Sequence, residues 1–281
     1  MVIRLRHPVI DYEAFIDSVV FERQEGRNAA YFTAIKDDWK ARTQDYLEHS
    51  GNPEKIKPWG LIVKADGKKF SNLYSSPKEG SIQGPLLQGL RERKLQICPA
   101  CGEEGTPNTL DHYLPKDSYP EFAITAANLS PMCDICQGEK LAETLTSDDE
   151  RIFVHPYYDE FLDEQIVELE FDKPLSFPPS VNLRPSSSLT AEQTALVSRH
   201  IGGLSLMRRY NHFFKDEYMR LLRLTSDIRA DGQNLREQLV NFRRMASYKS
   251  VNSWPHVFYA GVIADDELMA FLEAGDLPEF S

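Results

Sequence analysis

All four cysteines of the 281-residue chain stand in two Cys-x-x-Cys pairs, Cys98-Pro99-Ala100-Cys101 and Cys133-Asp134-Ile135-Cys136, with 31 residues between them. Two knuckles with matched two-residue gaps suit tetrahedral Zn²⁺, whose four thiolates close the coordination shell and leave no open position for catalysis. The spacing therefore predicts a structural zinc on Cys98, Cys101, Cys133 and Cys136, against the plainer alternative of four buried, unligated thiols. The compartment bears on that choice. The sequence has no run of 18 uncharged apolar residues, and its start, Met1 to His7, lacks the longer apolar stretch of a secretory signal. This predicts a cytoplasmic protein with no membrane partner, in surroundings where disulfides do not persist and paired cysteines serve metals.

Between the knuckles lie Leu110-Asp111-His112-Tyr113-Leu114-Pro115 and Asn128-Leu129-Ser130-Pro131, and the second knuckle runs on as Cys136-Gln137-Gly138-Glu139-Lys140. This succession resembles the four-cysteine subclass of the HNH endonucleases, the ββα-metal fold. That pattern is a knuckle, a strand ending in Asp-His, a loop, an Asn-Leu strand, and a second knuckle opening a helix. The resemblance covers about residues 95–158, taking in Tyr119-Pro120-Glu121-Phe122 and His155-Pro156-Tyr157-Tyr158-Asp159.

Hydrolysis of a phosphodiester needs a water deprotonated near neutral pH, and the intrinsic pKa of His112 fits a general base. It also needs a hard cation, Mg²⁺ or Mn²⁺, to neutralise charge on the phosphate, for which Asp111 offers a carboxylate. Neighbouring strand residues point to opposite faces, so Asp111 and His112 serve one phosphate only if the strand end bends. The resemblance implies that Asn128 orients the loop carrying the base. It also implies that the residue after the last cysteine completes the catalytic metal site. Here that residue is Gln137 where the family has Asn or His, and its amide oxygen is one methylene further out. Lys140 stands one helical turn past Cys136, as a phosphate contact or as a solvated lysine. His155 reads either as a phosphate or water contact or as a capping or core histidine.

The flanks are helical. Residues 11–22 and 28–49 carry apolar groups at spacings near 3.6, including Phe32, Ile35, Trp39 and Tyr46, and Gly51 is placed as a stop. Residues 59–63 read as a short strand, 75–85 as a loop, 86–94 as a brief helix, 165–172 as a half-buried strand and 178–188 as a proline-punctuated linker. One helical face carries Leu204, Met207, Tyr210, Phe214, Tyr218, Leu221 and Ile228. After the Asp231-Gly232 break, Leu235, Leu239, Phe242 and Ala246 line another. The expected fold is α+β and predominantly α-helical: a helical region over 1–94, the zinc-stapled ββα-metal HNH module over 95–160, and a mainly helical region over 161–281.

The net charge of −11 does not favour a phosphate-gripping protein, but it is unevenly spread. Residues 145–173 hold ten acidic against two basic side chains, and residues 205–250 ten basic against five acidic. Arg208, Arg209, Arg220, Arg223, Arg243 and Arg244 form the expected nucleic-acid surface, with an ordinary solvated helix face as the alternative. The reading that follows is a metal-dependent endonuclease acting on nucleic acid, DNA ahead of RNA. HNH proteins with helical flanks resemble the nuclease subunits of ATPase-associated anti-phage defence complexes, which implies an ATPase partner. The alternatives are a stand-alone restriction-type enzyme and an inactive zinc-stapled adaptor.

Overall fold

A computed structural model of the chain describes residues 2–178 and 180–279. About half of it is helical, with two small two-stranded sheets, an α+β arrangement. No helix of the described residues is long and apolar enough to cross a membrane. The chain divides into two compact units that interleave along the sequence.

The first unit comprises Arg4–Leu95 and Thr106–Asp159. Its helices are α1 (Tyr12–Glu22), α2 (Ala29–Glu48), α3 (Lys64–Ser75) and α4 (Gln83–Arg91). They precede the strands β1 (Thr109–His112) and β2 (Leu129–Met132) and the short helix α5 (Asp134–Lys140). Asp11 starts α1 by accepting the Ala14 N–H on its carboxylate at 3.0 Å, satisfying one of the donors a helix start leaves open. The core joins Val19 and Val20 of α1, Phe32 and Trp39 of α2, Phe70 of α3, Leu87 of α4, Leu110 of β1 and Leu129 of β2. Trp39 and Phe70 meet edge to face with centroids 5.0 Å apart, and the indole N–H of Trp39 donates to the Glu121 carbonyl at 2.8 Å. Burial thus removes two large rings from water without stranding the indole's polar edge.

Helix α2 ends as the sequence anticipates. Gly51 lies at φ +65°, its N–H donates to the Tyr46 carbonyl at 2.8 Å, and the Ser50 N–H returns to Leu47 at 3.1 Å. These are the two bonds that close a helix end through a left-handed residue, here Ser50 at φ +55°, with Gly51 following it. A Cβ on Gly51 would stand 2.5 Å from the Tyr46 hydroxyl, so glycine here also makes room for that side chain.

Three sequence expectations change. Residues 59–63 form a turn, not a strand: Leu61 and Val63 are exposed, the Ile62 N–H folds back to the Trp59 carbonyl at 3.1 Å, and the Val63 carbonyl is taken by the first turn of the next helix, so no strand partner is engaged. Helix α3 follows where no element was expected, because Gly67 and its lysines mask the period. Gly67 faces the 3₁₀ turn Pro120–Phe122, where a Cβ would make ordinary contact with Pro120 at 3.4 Å. Helix α4 begins at Gln83, inside the expected loop.

The second unit comprises Gln96–Gly105, Glu160 onward and the residues up to Ile3. Strands β3 (Val167–Phe171) and β4 (Val181–Pro185) form an antiparallel hairpin. The helices are α6 (Ala191–Gly203), α7 (Leu206–Ala230), α8 (Leu235–Ser247), α9 (Trp254–Ala264) and α10 (Asp266–Ala274). The expected linker over 178–188 therefore contains β4, whose alternating Val181 and Leu183 cover the same core as β3; Pro179 of that stretch lies outside the described residues. Thr190 and Gln193 cap α6 reciprocally. Ser205, at φ +51°, separates α6 from α7, so Leu204 closes α6 and does not belong to the α7 face.

Replacing Gly51 by Ala forces a left-handed φ on a residue with a Cβ and drives that Cβ into Tyr46. Urea unfolding of the Gly51→Ala protein is expected to show a loss of about 1–3 kcal/mol, whereas Gly80→Ala, also at positive φ but in open space, loses less.

Candidate active site and four-cysteine centre

Strands β1 and β2 pair antiparallel with Asp111 opposite Ser130 and His112 opposite Leu129, and the Tyr113 N–H extends the ladder to the Asn128 carbonyl at 2.8 Å. Cys133 caps α5, its sulfur accepting the Cys136 N–H at 3.4 Å. Gln137 and Lys140, three residues apart on α5, share a face.

That face meets Asp111. Its carboxylate receives the Gln137 side chain and the His112 backbone N–H. The Lys140 ammonium lies 3.1 Å from Oδ2, while its well-aligned hydrogen bond goes to the His112 carbonyl at 2.8 Å. Oδ2 itself accepts no hydrogen bond. Burial raises the Asp111 pKa, opposed by Lys140 and the two hydrogen bonds. Lys140 is thus neither a surface phosphate contact nor a solvated lysine: it is 2% exposed and serves as the buried counter-charge of Asp111.

His112 turns to other neighbours. Its ring meets Tyr74 of α3 edge to face at 4.4 Å, and the Tyr74 hydroxyl donates to the Leu110 carbonyl at 2.8 Å. Nε2 lies 3.0 Å from the Ala123 carbonyl. A carbonyl only accepts, so Nε2 carries the proton and Nδ1 keeps its lone pair. Burial pushes the imidazole down to about 3, against the pull of that hydrogen bond, so the ring is neutral at physiological pH.

Asn128 uses its whole amide. Oδ1 accepts the Leu114 N–H at 2.7 Å and the Tyr46 hydroxyl at 3.2 Å, and Nδ2 donates to the Leu114 carbonyl at 3.0 Å and the Phe122 carbonyl at 3.3 Å. It fastens both ends of the loop that follows His112. Tyr46 ties the same point to His155, 3.1 Å from Nε2, and His155 Nδ1 accepts the Tyr157 N–H at 3.2 Å. With both ring nitrogens used inside the fold and no exposed surface, His155 is a core histidine and not a nucleic-acid contact. In sequence Tyr46 reads as one position of an apolar helix face and Tyr74 carries no signal, since neither hydroxyl announces its partner.

The four cysteine sulfurs lie within 4.8 Å of one another and none is in a disulfide. The group could hold a metal such as zinc.

The basic residues expected to touch nucleic acid sit on α7 and α8. Arg209 is buried, ion-paired to Glu103 and 3.5 Å from the Cys101 sulfur, with its guanidinium over Trp254, so it is a structural residue and not a surface contact. Arg208, Arg220, Arg223 and Arg244 are exposed and Arg243 half-buried.

No protein-family model matches the chain, and no solved structure matches it. Over 76 residues it is 37% identical to the protein named Protein ea31 of Escherichia phage lambda, a stretch that spans 26% of this chain and 26% of that relative.

The Asn128→Ala protein is expected to lose about 1–3 kcal/mol for each buried partner left open, read as a fall in urea midpoint. Asn128→Asp should not rescue it, because a carboxylate cannot donate to Leu114 and Phe122.

Proposed function

We propose that this chain is a metal-dependent endonuclease of the HNH type, with His112 as general base. The observation that carries the reading is the neutral, oriented imidazole: its Nε2 proton is committed to the Ala123 carbonyl, leaving Nδ1 to accept one. A water beside Nδ1 gives its proton to His112 as its oxygen bonds to phosphorus and the ester oxygen leaves. Asn128 keeps the loop that carries Ala123 in place, and so keeps the tautomer. Asp111, whose buried Oδ2 faces the Lys140 ammonium at 3.1 Å, and the Gln137 amide offer hard oxygen donors of the kind Mg²⁺ or Mn²⁺ takes. When bound, such a cation supplies charge neutralisation at the phosphate. Zinc on the four cysteines is structural in this reading. A role as the nuclease subunit of an ATPase-associated anti-phage complex rests on the HNH resemblance alone.

A second reading is a zinc-stapled module that binds without cutting. It is favoured by Lys140, whose ammonium already stands on Asp111 where a divalent cation would act.

Purified protein incubated with supercoiled plasmid and with total tRNA is expected to cut one of them in Mg²⁺ or Mn²⁺ and not in EDTA. His112→Ala should slow that cleavage by about 10²–10⁴-fold. Folded protein that cuts neither substrate in either metal would favour the binding module.

Zinc analysis of the same samples should find one ion per chain, reduced in Cys136→Ser.

A further inference from the structure

The lysines of the unit that holds His112 differ in their partners. Lys36 and Lys40 pair with Asp17, Lys69 with Asp66 and Lys140 with Asp111. Lys64, Lys68 and Lys116 have no ion pair among the described residues, yet all three line one cleft of about 680 Å³, with Trp59 and Ser71 on its walls and Asp117 as its one carboxylate. Unpaired like charges gathered in a concavity repel one another and concentrate the local field, an arrangement suited to an anion.

The cleft is not isolated from the chemistry. Lys64, Lys68 and Ser71 stand at i, i+4 and i+7 on α3, and the same row continues to Tyr74, whose ring lies 4.4 Å from that of His112. Lys116 follows His112 by four residues, and the Arg91 guanidinium lies over Tyr74 at 5.2 Å. The helix row that lines the cleft thus leads on α3 toward Tyr74, the neighbour of the proposed base. Cations spaced along it fit a chain of phosphates, and the half-buried Trp59 offers a ring to an unpaired base, which a duplex does not present.

We propose that the cleft of Trp59, Lys64, Lys68, Ser71 and Lys116 is a groove for a single nucleic-acid strand, taking its sugar-phosphate backbone on the lysines and a base on Trp59. The inference rests on the nuclease reading for its orientation toward His112. It puts the contact surface on α3 and the loop after β1, elements to which sequence reasoning gave no such role.

Binding is measured with the full chain in EDTA, by anisotropy of fluorescein-labelled oligodeoxythymidylate, oligouridylate and a blunt DNA duplex. The expected result is tighter binding to a single strand than to the duplex, the two single-strand probes distinguishing deoxyribose from ribose. Changing Lys64, Lys68 and Lys116 together to Gln should weaken it about tenfold or more and lower the salt slope by about 2, at roughly 0.7 per phosphate contact. Trp39 and Trp254 are buried, so quenching of tryptophan emission on binding should disappear in Trp59→Phe. Arg208→Ala with Arg244→Ala should bind as the parent does. Unchanged affinity in the lysine variant, preference for the duplex, weakening by the arginine changes alone, or no binding to any probe would overturn the groove. Lysine-dependent binding without any cleavage would keep the groove and remove the nuclease, whereas cleavage indifferent to the lysine changes would do the reverse.

Discussion

The arrangement around His112 depends on a single buried carboxamide. Asn128 sits at the start of β2, yet its four hydrogen bonds reach back to Leu114, just after β1, to Phe122 at the far side of the intervening loop, and to Tyr46 on α2. A loop of this kind has ample conformational entropy to lose. Its closure is offset because each polar group of the amide finds a partner inside a low-dielectric interior, where an unmade bond costs about 1–3 kcal/mol. The consequence is local and chemical. Ala123 follows Phe122 directly, so fixing Phe122 fixes the carbonyl that holds the His112 Nε2 proton, and with it which nitrogen can accept another.

The buried charges obey a different logic. Lys140 and Asp111 are almost wholly out of water, and a buried pair stabilises little by itself because desolvation takes back most of the attraction. Removing either partner leaves the other uncompensated, which is why such pairs are tolerated only with further hydrogen bonds. Here Gln137 and the His112 N–H supply them to Asp111, and the His112 carbonyl supplies one to Lys140. Glu121 repeats the theme: fully buried, it faces Arg42 at 3.1 Å, and its backbone carbonyl meets Trp39. The charged groups of this unit thus act as fixed points for α2, α5 and the loop.

What could be read from the sequence follows from how local each determinant is. The cysteine pairs are recognisable because metal ligation depends on residue type and short spacing, and Asp111, His112 and Asn128 stand out in the stretch between them. The helical periods of α1, α2 and α7 were legible because their apolar stripes are wide. Helix α3 was not, because its lysine face and Gly67 break the stripe, and β4 was not, because a strand in polar surroundings is specified by its partner β3. The burial of Lys140, His155 and Arg209 was equally out of reach. Each is a residue type that normally meets water, and only the elements folded over it decide otherwise.

The overall charge of −11 carries a related lesson. At physiological ionic strength a charge is screened beyond about 8 Å, so a phosphate entering a cleft responds to the side chains lining it and hardly to the total. Surplus negative charge elsewhere then has a use, since it discourages a polyanion from adhering wherever a lone lysine happens to lie. Lys36 and Lys40 share the one carboxylate of Asp17 and Lys69 pairs with Asp66, whereas Lys64, Lys68 and Lys116 outnumber Asp117 in their cleft and set the sign of its field. An acidic protein can in this way confine an affinity for polyanions to one cleft, which is the role proposed for the cleft along α3.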